Sequence, residues 1–238
     1  MGKHFSPRIV TEGMVLCLDA ANTDSYSTGT NWNDLSGNNN NGTLGGGASY
    51  TSNALGSINF NGTNGVFVGP STIKGASGTQ ISLEIWTKPN STTQTTTLMS
   101  KWGSSTLGNY SWLLFLNWFA QGNIDFLVGN AAGTSYSIHS IAHQLSTSSY
   151  SHFAVTYNAG SISMYRNGIL ISSSASANTS LKSVSTSLGI GHDYDFGSVD
   201  TPGRYYNGAI PTAKIYNRSL SATEIDQNFN TLRRRYGV

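Results

Sequence analysis

The sequence predicts an all-β protein: an antiparallel β-sandwich closed by one short C-terminal α-helix. Three observations carry this expectation. Short apolar stretches with period-two alternation recur between residues 14 and 216, and Gly, Asn and Ser turns separate them. No helical pattern intervenes between those stretches, which argues for antiparallel pairing over a layered α/β arrangement. A well-capped amphipathic segment then begins at Ser221.

Taken in order, residues 1–12 are polar, contain Pro7 and read as an N-terminal arm. Residues 13–238 form one domain, opening on the apolar strand at 14–18 that ends in Asp19-Ala20-Ala21-Asn22. Residues 23–57 read as loop, with Asn38 to Asn41 and Gly45 to Gly47 as turn material. Alternation resumes at Ile58 and Phe60, turns at Asn61-Gly62 and continues through Val66 and Val68. Over Gln80 to Trp86, Ile81, Leu83 and Ile85 face one way and Ser82, Glu84 and Trp86 the other. Ser111 to Phe119 and Ile124 to Val128 are further strands. Phe153, Val155 and Tyr157 alternate and return as Ile162, Met164 and Arg166, and Asn167-Gly168 is a two-residue hairpin signal leading into Ile169 to Ile171. Leu188 to Ile190 and Ala209 to Tyr216 supply the last strands.

The helix, expected over about 221–235, is the best-marked element. Ser221 is an N-cap whose hydroxyl accepts from an otherwise unpaired backbone N–H, and Glu224 three residues later completes a capping box. Leu220 and Ile225 are placed as a hydrophobic staple. Ile225, Phe229 and Leu232 follow at helical spacing, and Arg233 to Arg235 sit where cations favour a helix C-terminus, as a solvated end.

Composition narrows the function classes. Only 10% of the 238 residues are charged, and 11% are aromatic, which argues against disorder. A net charge of +2 is too small and too spread out for nucleic-acid binding. Cys17, the single cysteine, lies in the apolar run Met14 to Leu18 and reads as a buried inert thiol. The N-terminus lacks the apolar core of a secretory signal, and no apolar stretch approaches the ~18 residues needed to span a membrane. Synthesis in a cytoplasm is expected, with any exit by another route.

A set of landmarks in fixed order resembles the laminin-G-like branch of the concanavalin A-like jelly rolls. They are Asp34-Leu35-Ser36-Gly37-Asn38 before Asn41-Gly42-Thr43-Leu44, then Phe60-Asn61-Gly62-Thr63-Asn64, and Ile81 to Pro89. His152 to Tyr157, Met164 to Gly168, Gly189-Ile190-Gly191, Tyr206-Asn207-Gly208 and Ile215 to Ile225 complete the series. The segments Ser6 to Thr11 and Leu16 to Asn22, with the ending Arg235-Tyr236-Gly237, are further similar to stand-alone laminin-G-like virion proteins of tailed, especially marine, bacteriophages. The resemblance implies a jelly-roll sandwich displayed on a virion surface, as capsid decoration or a tail-fibre component, released by lysis. It implies other virion proteins and host-surface glycans as partners and leaves homo-oligomers open. A carbohydrate-binding adhesin is the alternative, and a glycoside hydrolase a more distant one.

A hydrolase would need two carboxylates, about 5 Å apart or somewhat wider. In the glucanase relatives these lie at alternate positions of one strand. Here Glu84 is followed at alternate positions by Trp86 and Lys88, so the partner acid is missing and Glu84 reads as a polar residue on a solvated sheet face; no catalytic residue is expected. His139 and His143 have helical i,i+4 spacing but no HExxH glutamate, and in a strand they would stand ~13 Å apart. His152, on a core strand, reads as structural.

Two candidate sites remain. Laminin-G-like domains often hold calcium at the sandwich rim through hard oxygen donors, and Asp193, Asp195 and Asp200 form the richest acidic stretch of this acid-poor chain. Asn64-Gly65, however, replaces acidic residues frequent after the Phe-x-Gly-x landmark. For sugar binding, Trp102, Tyr110, Trp112 and Trp118 crowd one segment. Trp112 and Trp118 are expected to fill the core, leaving Trp102 and Tyr110, beside Gly turns, as candidate surface contacts to a glycan.

Overall fold

The computed structural model describes residues 8–73, 78–103, 107–193 and 204–238. Residues 1–7 of the arm lie outside the described residues, as do Asp195 and Asp200. In chain order the strands are β1 (Met14–Asp19), β2 (Asn31–Trp32), β3 (Gly42–Gly45), β4 (Ser49–Thr51), β5 (Ser57–Asn61), β6 (Val66–Val68), β7 (Gln80–Pro89) and β8 (Thr96–Trp102). They continue as β9 (Tyr110–Leu116), β10 (Asn123–Gly129), β11 (Tyr136–Ala142), β12 (Ser151–Asn158), β13 (Ser161–Arg166), β14 (Ile169–Ala175), β15 (Gly189–Ile190) and β16 (Asn207–Tyr216). Helix α1 (Ala222–Leu232) and a 3-10 turn over Arg233–Tyr236 follow.

The strands form two antiparallel sheets. The first runs β14-β13-β12-β7-β16-β5-β4, the second β11-β10-β9-β8-β15-β6-β3-β2. Strand β16 is shared along its free side: its first half pairs with β5 and its second half with β1. The chain is therefore a β-sandwich of jelly-roll type. The inner faces meet in one apolar core that includes Leu83, Ile85, Trp112, Phe126, Val155 and Ile215. Asn167 and Gly168, at φ +50° and +79°, make the tight β13–β14 turn whose left-handed backbone Asn and Gly tolerate best.

Three expectations change, and one strand without a sequence signal is added. The stretch 23–57 is not all loop: it contains β2, β3 and β4, whose two to four residues are too few to show a period. Strand β8 carries no alternation signal because all seven of its residues are buried, a polar-containing TTLMSKW run covered on both faces. The strand expected to reach Phe119 stops at Leu116, where Asn117 turns the chain at φ +61°. Trp118 therefore leaves the core and packs edge-on against Phe115, while Trp112 is fully buried in the core as expected.

Helix α1 docks on the outer face of the first sheet. Eleven residues are too short to be helical alone, since isolated helices below ~12–15 residues are marginal. The capping box at Ser221 and Glu224 is present, and Leu220 and Ile225 are buried together against Ala154, Tyr165 and Tyr216. Phe229, Leu232 and Tyr236 bury against Trp86, Tyr150 and Ala209. Each such side chain contributes about 1.5–3 kcal/mol on burial. The helix ends before Arg233, and the three arginines do not share one solvated end. Arg233 and Arg234 are exposed, whereas Arg235 pairs with Asp19 at 2.7 Å. Residues 8–12 pack on the same helix: the Val10 N–H donates to Asn228 Oδ1 at 2.8 Å, and Gln227 donates to the Arg8 carbonyl.

This docking also corrects the reading of Glu84. It lies on the outward row of β7, but the helix covers that row and Glu84 is 1% exposed. Lys214, directly opposite on β16, reaches it at 3.4 Å, and Asn228 Nδ2 donates to both carboxylate oxygens at 3.1 and 3.0 Å. Burial pushes the Glu84 carboxyl up, with Lys214 opposing. His152, fully buried between Trp86 and Phe229, is held neutral well below its usual range, first by burial and then by Lys214. Its role is structural, as expected. Cys17 is buried, and its thiol is pushed up to about 11 by loss of solvent, an inert group.

Candidate functional site

Beyond the end of the docked helix the outer face of the first sheet opens into a cavity of about 300 Å³. Its floor follows from alternation. Ile58 and Phe60 of β5 point into the core, so Asn59 and Asn61 point out. Pairing then sets Ala209 beside Asn59 and Asn207 beside Asn61, while Lys88 of β7 lies on the other side of Ala209. The small Ala209 leaves the space between Asn59 and Lys88 open. Gly47, Ser49 and Asn53 form one wall, and Asn90 and Tyr150 the other.

The walls are held by short polar bridges. Asn61 Oδ1 accepts from the backbone N–H of Thr63, Asn64 and Gly65 at 3.1, 3.0 and 2.8 Å, which closes the turn after β5. Gly46, at φ +61°, packs on that turn so tightly that a Cβ would lie 1.5 Å from the Asn64 carbonyl oxygen. Asn90 Nδ2 donates to Asn207 Oδ1 at 2.8 Å. Tyr150 is fixed by a 3.1 Å hydrogen bond with Ser57 and by contact with Tyr236 at 5.2 Å between ring centroids.

Other polar groups face the space uncommitted. Among the described residues, the side chains of Ser49, Asn53 and Asn59 make no hydrogen bond to protein. The Lys88 ammonium touches only the Tyr150 ring, 5.3 Å from its centroid. Among the described residues no carboxylate lines the cavity. Amides that both donate and accept, a hydroxyl and one cation suit a hydroxyl-rich ligand. Hydrolysis of a sugar would require an acid pair, which the described lining does not supply.

The sequence-derived candidates among the described residues, Trp102, Tyr110 and Asp193, lie elsewhere. Trp102 and Tyr110 stack on each other at 4.0 Å on the outer face of the second sheet, with Leu113, Phe115 and Leu127. They are 2% and 8% exposed, so the expected surface position is corrected: bulky neighbours on β9 and β10 enclose them. Tyr136 is the exposed ring of that group, edge-on to both. Asp193 is buried, accepts from the Thr97 hydroxyl at 2.8 Å and pairs with Arg204 at 3.3 Å. Among the described residues no cluster of three His, Cys, Asp or Glu could hold a metal ion. Trp102, Tyr110 and Asp193 do not line the cavity. Asn59, Lys88 and Asn207 are not legible as one site because they are far apart in sequence, although the outward face of β5 is readable from Ile58 and Phe60.

Two packed antiparallel sheets closed by a docked helix define a jelly-roll β-sandwich domain with a polar cavity on one outer face. The sequence matches the Laminin_G_3 model, described as the Concanavalin A-like lectin/glucanases superfamily, over residues 60–226, and the chain belongs to that family. No curated protein matches it. Among solved structures it is similar to domain 4 of AbnA, a GH43 extracellular arabinanase from Geobacillus stearothermophilus, in complex with arabinotriose. That match has TM-score 0.68 and 19% identity, covering 90% of this chain and 97% of that one. The botulinum neurotoxin serotype D ligand binding domain in complex with N-acetylneuraminic acid matches with TM-score 0.67 and 16% identity, over 92% of this chain and 51% of that one. The binding domain of botulinum neurotoxin DC in complex with rat synaptotagmin II matches with TM-score 0.71 and 15% identity, over 94% and 52%. The chain thus spans about half the length of these toxin domains. At such identities the likeness is one of fold.

Proposed function

We propose that this chain is a non-catalytic carbohydrate-binding module that takes a sugar into the Asn-lined cavity. The observation that carries the reading is the set of uncommitted polar groups, Ser49, Asn53, Asn59 and Lys88, facing one space with no carboxylate among its described lining residues. Solved domains of similar fold hold arabinotriose or N-acetylneuraminic acid, which supports a glycan as the ligand class. A glycan array on the whole protein, repeated with Asn59→Ala, tests it. Hits lost in Asn59→Ala support the cavity. Hits kept there but lost in Tyr136→Ala move the site to the second sheet, and an array without hits removes the reading.

The setting proposed for this module is a virion surface, as capsid decoration or a tail-fibre component, where it meets host-surface glycans. That part rests on the sequence landmarks at the two ends of the chain. Immunolabelling of purified particles tests it: symmetric label over heads indicates decoration, label at tail tips indicates host attachment, and unlabelled particles overturn it.

A further inference from the structure

Lys88 points to the chemistry of the sugar. Four carboxylates elsewhere in the chain have cations: Glu84 has Lys214, Glu224 has Arg218, Asp19 has Arg235 and Asp193 has Arg204. Lys88 has none among the described residues. Its ammonium instead rests over the Tyr150 ring, and Tyr150 is itself held by Ser57 and Tyr236. The ring therefore positions the charge at the cavity wall without neutralising it. Across Ala209, the Asn59 amide is free to bond neutral hydroxyls.

We propose that the cavity selects a carboxylate-bearing sugar residue, such as a uronic acid, with Lys88 pairing the carboxylate and Asn59 and Asn53 bonding ring hydroxyls. The inference rests on the cavity being the glycan site. A volume of about 300 Å³ lies at the low end of small-molecule pockets and matches a single sugar ring better than a long chain segment. A hydrogen bond to a charged group is worth more than a neutral one by an amount that corresponds to about tenfold in affinity.

The test is calorimetric titration of the whole protein with a disaccharide ending in glucuronic acid and with the same disaccharide ending in glucose. A sulfated counterpart forms a third arm. The wild-type chain should bind the glucuronate form about tenfold more tightly, with the advantage shrinking as salt rises. Lys88→Gln should bring the acid and neutral affinities to within about twofold of each other, whatever it does to both, and Lys88→Arg should retain the tenfold ratio. Equal affinity for acid and neutral forms, or an advantage that survives Lys88→Gln, overturns the selectivity alone, provided Asn59→Ala still removes neutral binding. Stronger binding of the sulfated arm overturns the carboxylate assignment, and absence of binding to any arm overturns the cavity reading with it.

Discussion

Lys214 of β16 and Glu84 of β7 face each other across the first sheet at 3.4 Å, the lysine 2% and the glutamate 1% exposed. The pair is roofed by Asn228 of α1, so a buried charge pair and the docking of the terminal helix are one structural unit. Removing one partner leaves the other charge without compensation in a dry site. Glu84→Gln and Lys214→Met should each destabilise the fold by about 3–5 kcal/mol, and a well-packed apolar double replacement should recover much of that. Urea denaturation of the two single variants and the double decides it; additive losses would show that the residues act independently.

Acid should weaken the protein from just below neutrality. His152 is held neutral in the fold, with burial keeping its imidazole well below the usual histidine range. An unfolded chain therefore takes up a proton as pH falls through about 6.5 while the native chain does not, and stability drops over that window. Burial depresses His139 and His143 in the same direction. Glu84, raised in the fold, works the opposite way at lower pH. Unfolding free energies between pH 8 and pH 5 should decline by up to about 1.4 kcal/mol per pH unit for His152, with smaller contributions from His139 and His143, and His152→Phe should flatten the slope. A flat wild-type profile would contradict the neutral buried imidazole.

The helix cap carries a measurable share of the docking. Ser221 accepts from the Glu224 N–H, and Glu224 both returns to the cap and pairs with Arg218 at 2.5 Å. Ser221→Ala should cost about 1 kcal/mol, read as a lower melting temperature.

Modification of Cys17 should track unfolding. With 7% exposure and a thiol pushed up to about 11, it should resist a disulfide reagent in buffer and react fully in denaturant. Prompt labelling of the native chain would contradict that placement.

Gly46 should be irreplaceable for the cavity wall. Its φ of +61° and the Asn64 carbonyl leave no room for a Cβ, so Gly46→Ala should displace the turn after β5. The variant should lose binding at the cavity and melt at a lower temperature, both of which calorimetry can follow.

Sequence alone determined what depends on near neighbours along the chain. The alternation in β5, β7 and β12, the Asn167-Gly168 turn and the Ser221–Glu224 cap were legible because each is set within a few residues. Charges and aromatics were not legible in this way. Glu84 looks like a surface residue until α1, some 140 positions later, lies across it, and Trp102 looks exposed until β9 and β10 enclose it. The cavity shows the same reason most plainly. Asn59, Lys88 and Asn207 meet only because β16 pairs with both β5 and β7, and a register across three strands is a property of the sheet that no single segment contains.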